Sequence, residues 1–251
     1  MTRCRRREII LVNHHRRRIA STKGAGSDRF DALDYEPRIT RFGKYVYVQL
    51  CDKIDIDCNR VVHSMDYLLR KKRFKWLLEG VPAYGTLALI VDFEKTSMHE
   101  VREYVFGAFN SAMLQGQKGF RSRVVTLGVK YGGEYGPDIE MVAKETGLTI
   151  KQVVKMHTSR IYHCYMLGFS PGFVYLGELD PRLWVKRLDT PRTKVPAGSV
   201  GLAGSQTGFY GISSPGGWRI IGRLAERSFD VRLKEPSKVR PGDDVKFVEI
   251  R

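Results

Sequence analysis

Gly168-Phe169-Ser170-Pro171-Gly172 has the G-x-S-x-G spacing of a nucleophile elbow, on which a hydrolase serine attacks an acyl carbon. The chemistry fails at the next residue. The residue after the nucleophile must give a backbone N–H to the oxyanion hole, and Pro171 has none. Phe173-Val174-Tyr175-Leu176 also reads as a strand, where that motif needs a helix. His99-Glu100-Val101-Arg102-Glu103 opens like a zinc-protease helix but carries Glu where the second His ligand belongs. Cys51 and Cys58 have no partner CxxC, so no metal site is expected. No G-x-x-x-x-G-K-[ST] occurs, so any ATP handled here does not sit on a Walker loop. His63 and His163 read as packed or surface residues. His157 is the candidate general acid/base, because imidazole titrates near neutrality. A histidine closing a helix is also what the helix dipole favours.

A second kind of chemistry is written between Gly168 and Gly222. From Gly198 to Gly222 there are eight glycines in 25 residues. Glycine permits tight turns and close approach of backbone to a ligand, and barrel corners and hairpins need it equally. Arg192, Gln206, Thr207, Tyr210 and Ser214 are set among these glycines, a pattern that fits a lined pocket. Arg192 offers a bidentate fork to a carboxylate or phosphate. Gln206 can donate to and accept from an amide.

The elements that must position these residues follow from periodicity. Residues 39–50 alternate as a strand or as a hairpin turning at Gly43-Lys44. Asp57 is placed to cap a helix reaching about Arg73, with Val61, Val62, Met65, Leu68 and Leu69 on one face. Residues 76–82 and 84–92 read as strands. Ser97 and Glu100 form a capping box for a helix through about Leu114. Residues 121–131 read as a strand and 132–137 as a turn. Asp138 and Gly147 bound a short helix. Thr149 and Gln152 cap a helix carrying Val153, Val154 and His157. From Ile161 onward, short apolar runs between Gly/Pro turns predict a β-barrel or sandwich with no helix. The fold class is therefore α+β. A two-layer ββαββα domain (residues 38–120) precedes a β domain (residues 121–251).

The chain has 251 residues and a net charge of +16. Residues 1–37 hold nine Lys/Arg and five Asp/Glu, so +12 falls on the rest. The tail, with two Arg triplets and a Ser/Gly stretch, reads as a disordered extension. The basic body implies an anionic partner such as a phosphorylated ligand, nucleic acid or an acidic protein surface. No apolar run is long enough to span a membrane, and the N-terminus lacks the pattern of a secretory signal. Four scattered cysteines fit reduced thiols. Together these predict a cytoplasmic protein.

Four blocks then stand in order: Gly168-Phe169-Ser170-Pro171-Gly172-Phe173, Pro191-Arg192 through Val195-Pro196-Ala197-Gly198-Ser199-Val200, Gln206-Thr207-Gly208-Phe209-Tyr210, and Pro215-Gly216-Gly217-Trp218 with Ile221-Gly222-Arg223. With Tyr131-Gly132-Gly133 and Gly136-Pro137-Asp138, Met156-His157-Thr158-Ser159 and Val81-Pro82-Ala83-Tyr84, they resemble the KipI family, also called the 5-oxoprolinase PxpB family or allophanate hydrolase subunit 1. The resemblance covers about residues 38–251. Val174, Gly211 and Leu224-Ala225 depart from the usual pattern, at turns.

The resemblance implies a cyclophilin-like β-barrel as the C-terminal domain, which is no evidence of prolyl isomerase activity. It implies one component of a 5-oxoprolinase, which hydrolyses 5-oxoproline to L-glutamate with ATP, the component being inactive alone. Its partners would be a KipA-like (PxpC) protein and a LamB/YcsF-like (PxpA) protein. Other branches inhibit a sensor histidine kinase or form carboxyltransferase domains acting on urea-like amides. Nucleic acid falls to third place. His157 and Arg192 become the expected catalytic residues. Phe169, Pro171, Gly172, Pro196, Gly198, Gln206, Thr207, Tyr210, Pro215, Gly216, Gly217 and Trp218 become the expected substrate-binding positions.

Overall fold

A computed structural model describes residues 36–115 and 123–251. The basic extension therefore lies outside the described residues, apart from Glu36 and Pro37. Strands β1 (Arg38–Phe42) and β2 (Tyr45–Gln49) form the expected hairpin, with Phe42 opposite Tyr45. The period of two is visible in β2, which buries Val46 and Val48 and exposes Tyr45 and Tyr47. Helix α1 (Ile56–Lys71), β3 (Leu77–Pro82), β4 (Thr86–Val91) and α2 (Met98–Gln115) follow. The antiparallel sheet has the order β1-β2-β4-β3. Helix α1 packs on β3, β4 and α2. It buries Val61, Val62, Met65 and Leu69 in a stripe at helical spacing. Each such side chain removed from water contributes about 1.5–3 kcal/mol.

Two local expectations change. Asp55, not Asp57, caps α1: its extended backbone lets Oδ1 accept from the Cys58 amide at 2.7 Å. Asp57 falls in the first turn and pairs with Arg60 at 3.2 Å. Cys51 and Cys58 are not reduced thiols but a disulfide, with Cα atoms 6.6 Å apart. The chain bends back after β2, bringing the first turn of α1 beside its end, which spacing alone does not reveal. Cys164 is free and buried.

The second half closes on itself. Strands β5 (Val124–Tyr131), β6 (Ile161–Leu167), β7 (Val174–Gly177), β9 (Ser199–Ala203), β10 (Gln206–Phe209), β12 (Arg219–Leu224) and β13 (Asp244–Glu249) make a closed barrel in the order β10-β7-β6-β13-β5-β12-β9. Only the β13–β5 pair is parallel among these. A separate ribbon pairs β8 (Arg192–Val195) with β11 (Ser214–Gly216). Helices α3 (Ile139–Thr146) and α4 (Ile150–Ser159) lie between β5 and β6 in sequence, and α4 packs on β13. The Thr149–Gln152 capping box is present. One 3-10 turn, Pro181–Leu183, interrupts the expected all-β stretch. The barrel core includes Val129, Leu176, Val200, Leu202, Phe209, Ile221, Val245 and Phe247. Among the described residues no helix is long and apolar enough to cross a membrane.

Candidate functional site

Asp138 opens α3 but does not cap it with its side chain. The carboxylate is spent elsewhere. Oδ1 accepts from Arg192 Nη2 at 2.6 Å and Oδ2 accepts from the Ile220 amide at 2.6 Å. The Asp138 amide returns a bond to the Ile220 carbonyl at 2.9 Å. Asp138 therefore locks α3 to β12 and to the β8–β11 ribbon. Arg192 stands opposite Gly216 in that ribbon. Its Nη1 is buried with no partner among the described residues. Gly216 is required there, because an added Cβ would overlap the Tyr210 hydroxyl.

Around this pair lies an aromatic cluster. The Phe173 ring meets Tyr210 at 4.8 Å, Trp218 at 5.3 Å and Phe169 at 5.6 Å, edge-on in each case. Phe173, Tyr210 and Trp218 are buried with Val195, Ala203 and Ile220. Phe169 sits at a positive φ of 68° and is 66% exposed. Thus Phe169, Tyr210, Gly216 and Trp218 are brought together, with Arg192 beside them through Gly216. Pro171, Pro196 and Pro215 are exposed, Gly217 is half-buried, and Gly172 and Gly198 are buried. The strand β7 after the Ser170 loop confirms that no nucleophile elbow is built.

Replacing Asp138 by alanine is expected to cost about 2 kcal/mol, because the Ile220 amide and Arg192 both lose a charged acceptor. Asp138→Asn, which keeps an acceptor for Ile220, is expected to cost less. Urea midpoints of the two variants measure the difference.

Gln206 and Thr207 are adjacent in β10, and strand alternation sends their side chains apart. Thr207 points into the barrel. Its hydroxyl donates to the Gly201 carbonyl at 3.1 Å and accepts from His157 Nε2 at 2.8 Å. His157 Nδ1 in turn accepts from the Tyr131 hydroxyl at 2.7 Å. The imidazole stacks on Phe247 at 4.8 Å and has no exposed surface. Burial lowers its pKa to about 3. His157 is therefore a neutral ring with both nitrogens engaged inside the barrel. This placement is that of a packed core histidine and speaks against its expected role as general acid/base.

Gln206 faces the first sheet instead, where its Oε1 accepts from the Tyr84 hydroxyl at 3.0 Å. Asn59 of α1 makes the neighbouring tie. Its Nδ2 donates to the carbonyls of Ala83, Tyr84 and Tyr165 at 2.7, 2.9 and 3.2 Å. Its Oδ1 accepts from His163 Nε2 at 2.8 Å. His63 Nε2 donates to the Tyr165 carbonyl at 3.0 Å. Burial, and then repulsion by His163, lowers the His63 pKa to about 3 against that opposing hydrogen bond. Asp138, Tyr84 and Tyr165 were not expected to act at the site. Asp138 stands in one of the family words but reads there as a helix cap. Neither tyrosine carried a chemical signal of its own.

Residues 37–239 match the family described as carboxyltransferase domain, subdomain C and D. The chain is 36% identical over 212 residues to the B subunit of 5-oxoprolinase from Bacillus subtilis, covering 81% of this chain and 88% of that protein. It is 50% identical over 127 residues to the B subunit of 5-oxoprolinase from Escherichia coli O157:H7, covering 51% of this chain and 58% of that one. The crystal structure of TTHA0988 superposes with a TM-score of 0.74 at 34% identity, over 82% of this chain but only 40% of that protein. The family match runs over both the ββαββα layer and most of the barrel. The chain therefore belongs to the family of 5-oxoprolinase B subunits, within the carboxyltransferase domains.

Proposed function

We propose that this chain is one subunit of an ATP-dependent 5-oxoprolinase, which opens the lactam of 5-oxoproline with water to give L-glutamate. The observation that carries this reading is the 36% identity over 88% of the Bacillus protein that bears the name. In this reading the partners are a KipA-like protein and a LamB/YcsF-like protein, the assembly is cytoplasmic where ATP is at hand, and the chain alone is inactive.

A lactam is a poor electrophile, and ATP supplies its activation when bound. Two of the larger clefts have little free positive charge for a nucleotide. The cleft of about 640 Å³ near Ser228 contains Arg123, Arg227 and Lys238, and these pair with Asp243, Asp230 and Glu226. The cleft of about 520 Å³ near Cys51 holds Glu36, Asp52 and Asp55 against two cations. ATP is shared with the partner subunits in this reading, and no step is drawn through it here. On this chain, Arg192 is steered by Asp138, and its buried Nη1 is the group available to an anionic ligand or intermediate.

Coexpression of the three subunits tests the reading. The full assembly is expected to release glutamate from 5-oxoproline only with ATP, and each protein alone to release none. An inactive full assembly overturns the proposal. Full activity in an Arg192→Ala assembly would remove only that residue's role.

A further inference from the structure

Tyr165 and Gln206 share a small cavity of about 210 Å³ with Glu178, Trp184 and Ile54. Tyr165 has no exposed surface, yet its hydroxyl has no hydrogen-bond partner among the described residues. Gln206 is 8% exposed, and its Nε2 is likewise buried and unpartnered among them. In the structure Oε1 accepts from the Tyr84 hydroxyl at 3.0 Å. The unused end is therefore the NH₂ donor.

Buried donors are nearly always paired in folded proteins, so two unpaired ones lining one cavity call for an acceptor oxygen. Tyr165 stays a donor. Burial, and then the nearby Glu178 and Asp55 charges, push its phenol pKa up. Gly177 allows this packing, since a Cβ there would stand 2.8 Å from the Tyr165 ring.

The other residues narrow the ligand. Glu178 is exposed and brings a carboxylate, which accepts from an N–H and repels an anion. Trp184 and Ile54, each about half exposed, give apolar walls. The volume lies below the roughly 300–1,000 Å³ of sites that hold drug-sized ligands, so a nucleotide does not fit. The geometry points to this cavity as a binding site for a small cyclic amide. The carbonyl oxygen accepts from Tyr165 Oη and Gln206 Nε2, and the ring N–H donates to Glu178. The ligand class follows from the groups in the cavity. Its identification with the ring of 5-oxoproline, carboxylate outward, rests on the function proposed above.

The test is an NMR titration of the full chain, following the Gln206 side-chain amide signals. The probes are 2-pyrrolidone, N-methyl-2-pyrrolidone and γ-butyrolactone. Saturable shifts are expected with 2-pyrrolidone. Affinity should fall roughly 3- to 10-fold for the two probes lacking an N–H, and by a similar factor in Tyr165→Phe and in Glu178→Ala. Tyr165→Phe removes a hydroxyl with no partner among the described residues, so its melting temperature is expected to match the parent. Equal affinity for the N-methyl probe, or no shift at Gln206, overturns the assignment. Glutamate release by the assembly with an unshifted Gln206 and an unchanged KM in Tyr165→Phe sinks the cavity and leaves the function standing. Lactam binding to the chain together with an inactive assembly does the reverse.

Discussion

Replacing His157 by alanine is expected to lower the unfolding free energy by about 3–5 kcal/mol. The ring is fully buried and stacks on Phe247, so its removal leaves a cavity that the barrel walls can fill only in part. The Tyr131 hydroxyl loses its acceptor and Thr207 loses its donor, both inside the barrel. The two terms act in the same direction. Urea denaturation should show a lower midpoint with an unchanged slope. A loss below about 1 kcal/mol would contradict the structural role and return His157 to candidacy as a proton carrier.

The second large effect is a loss of stability in mild acid. His63 and His157 both titrate near pH 3 in the folded chain, against 6.5 for a free imidazole. The folded state thus holds both rings neutral, while the unfolded chain takes up protons below about pH 6.5. Their contribution is fully present above that pH and is lost as pH falls toward 3. Each histidine can remove up to about 1.4 kcal/mol per pH unit in that window. Unperturbed carboxyl groups titrate near about 4, below the window from about pH 6.5 to 5, so the histidines dominate there. Urea midpoints at about pH 7, 6 and 5 are expected to fall steadily, and His63→Gln to reduce the slope by about half. A midpoint independent of pH across that range would show that neither ring is held neutral by the fold.

Both effects depend on where a side chain ends up, and that marks the limit of what is legible in the linear chain. Local signals were read correctly where their cause is local. The hairpin at Gly43-Lys44, the capping boxes at Ser97 and Thr149 and the alternation of β2 depend on residues within about four positions of one another. The α1 cap moved by two residues because Asp55 and Asp57 are chemically equal candidates, and backbone conformation chose between them. The family, too, was legible, since its blocks are short, ordered words.

The site was legible only in part. Arg192, Tyr210, Gly216 and Trp218 were recognised, and the structure does gather them. Their anchor, Asp138, lies 54 residues from Arg192, and no periodicity joins positions so far apart. Sequence by itself determined the composition of the barrel, the order of its elements and the residues available for chemistry. The tertiary structure alone decided which of these meet a ligand. It withdrew His157 into the core, joined Cys51 to Cys58, and turned Gln206 to Tyr84 while its neighbour Thr207 went inward. The physical reason is the same in each case. Propensity and periodicity are set by near neighbours along the chain, whereas burial and hydrogen-bond partnership are set by strands and helices that closure of the barrel brings together from far apart.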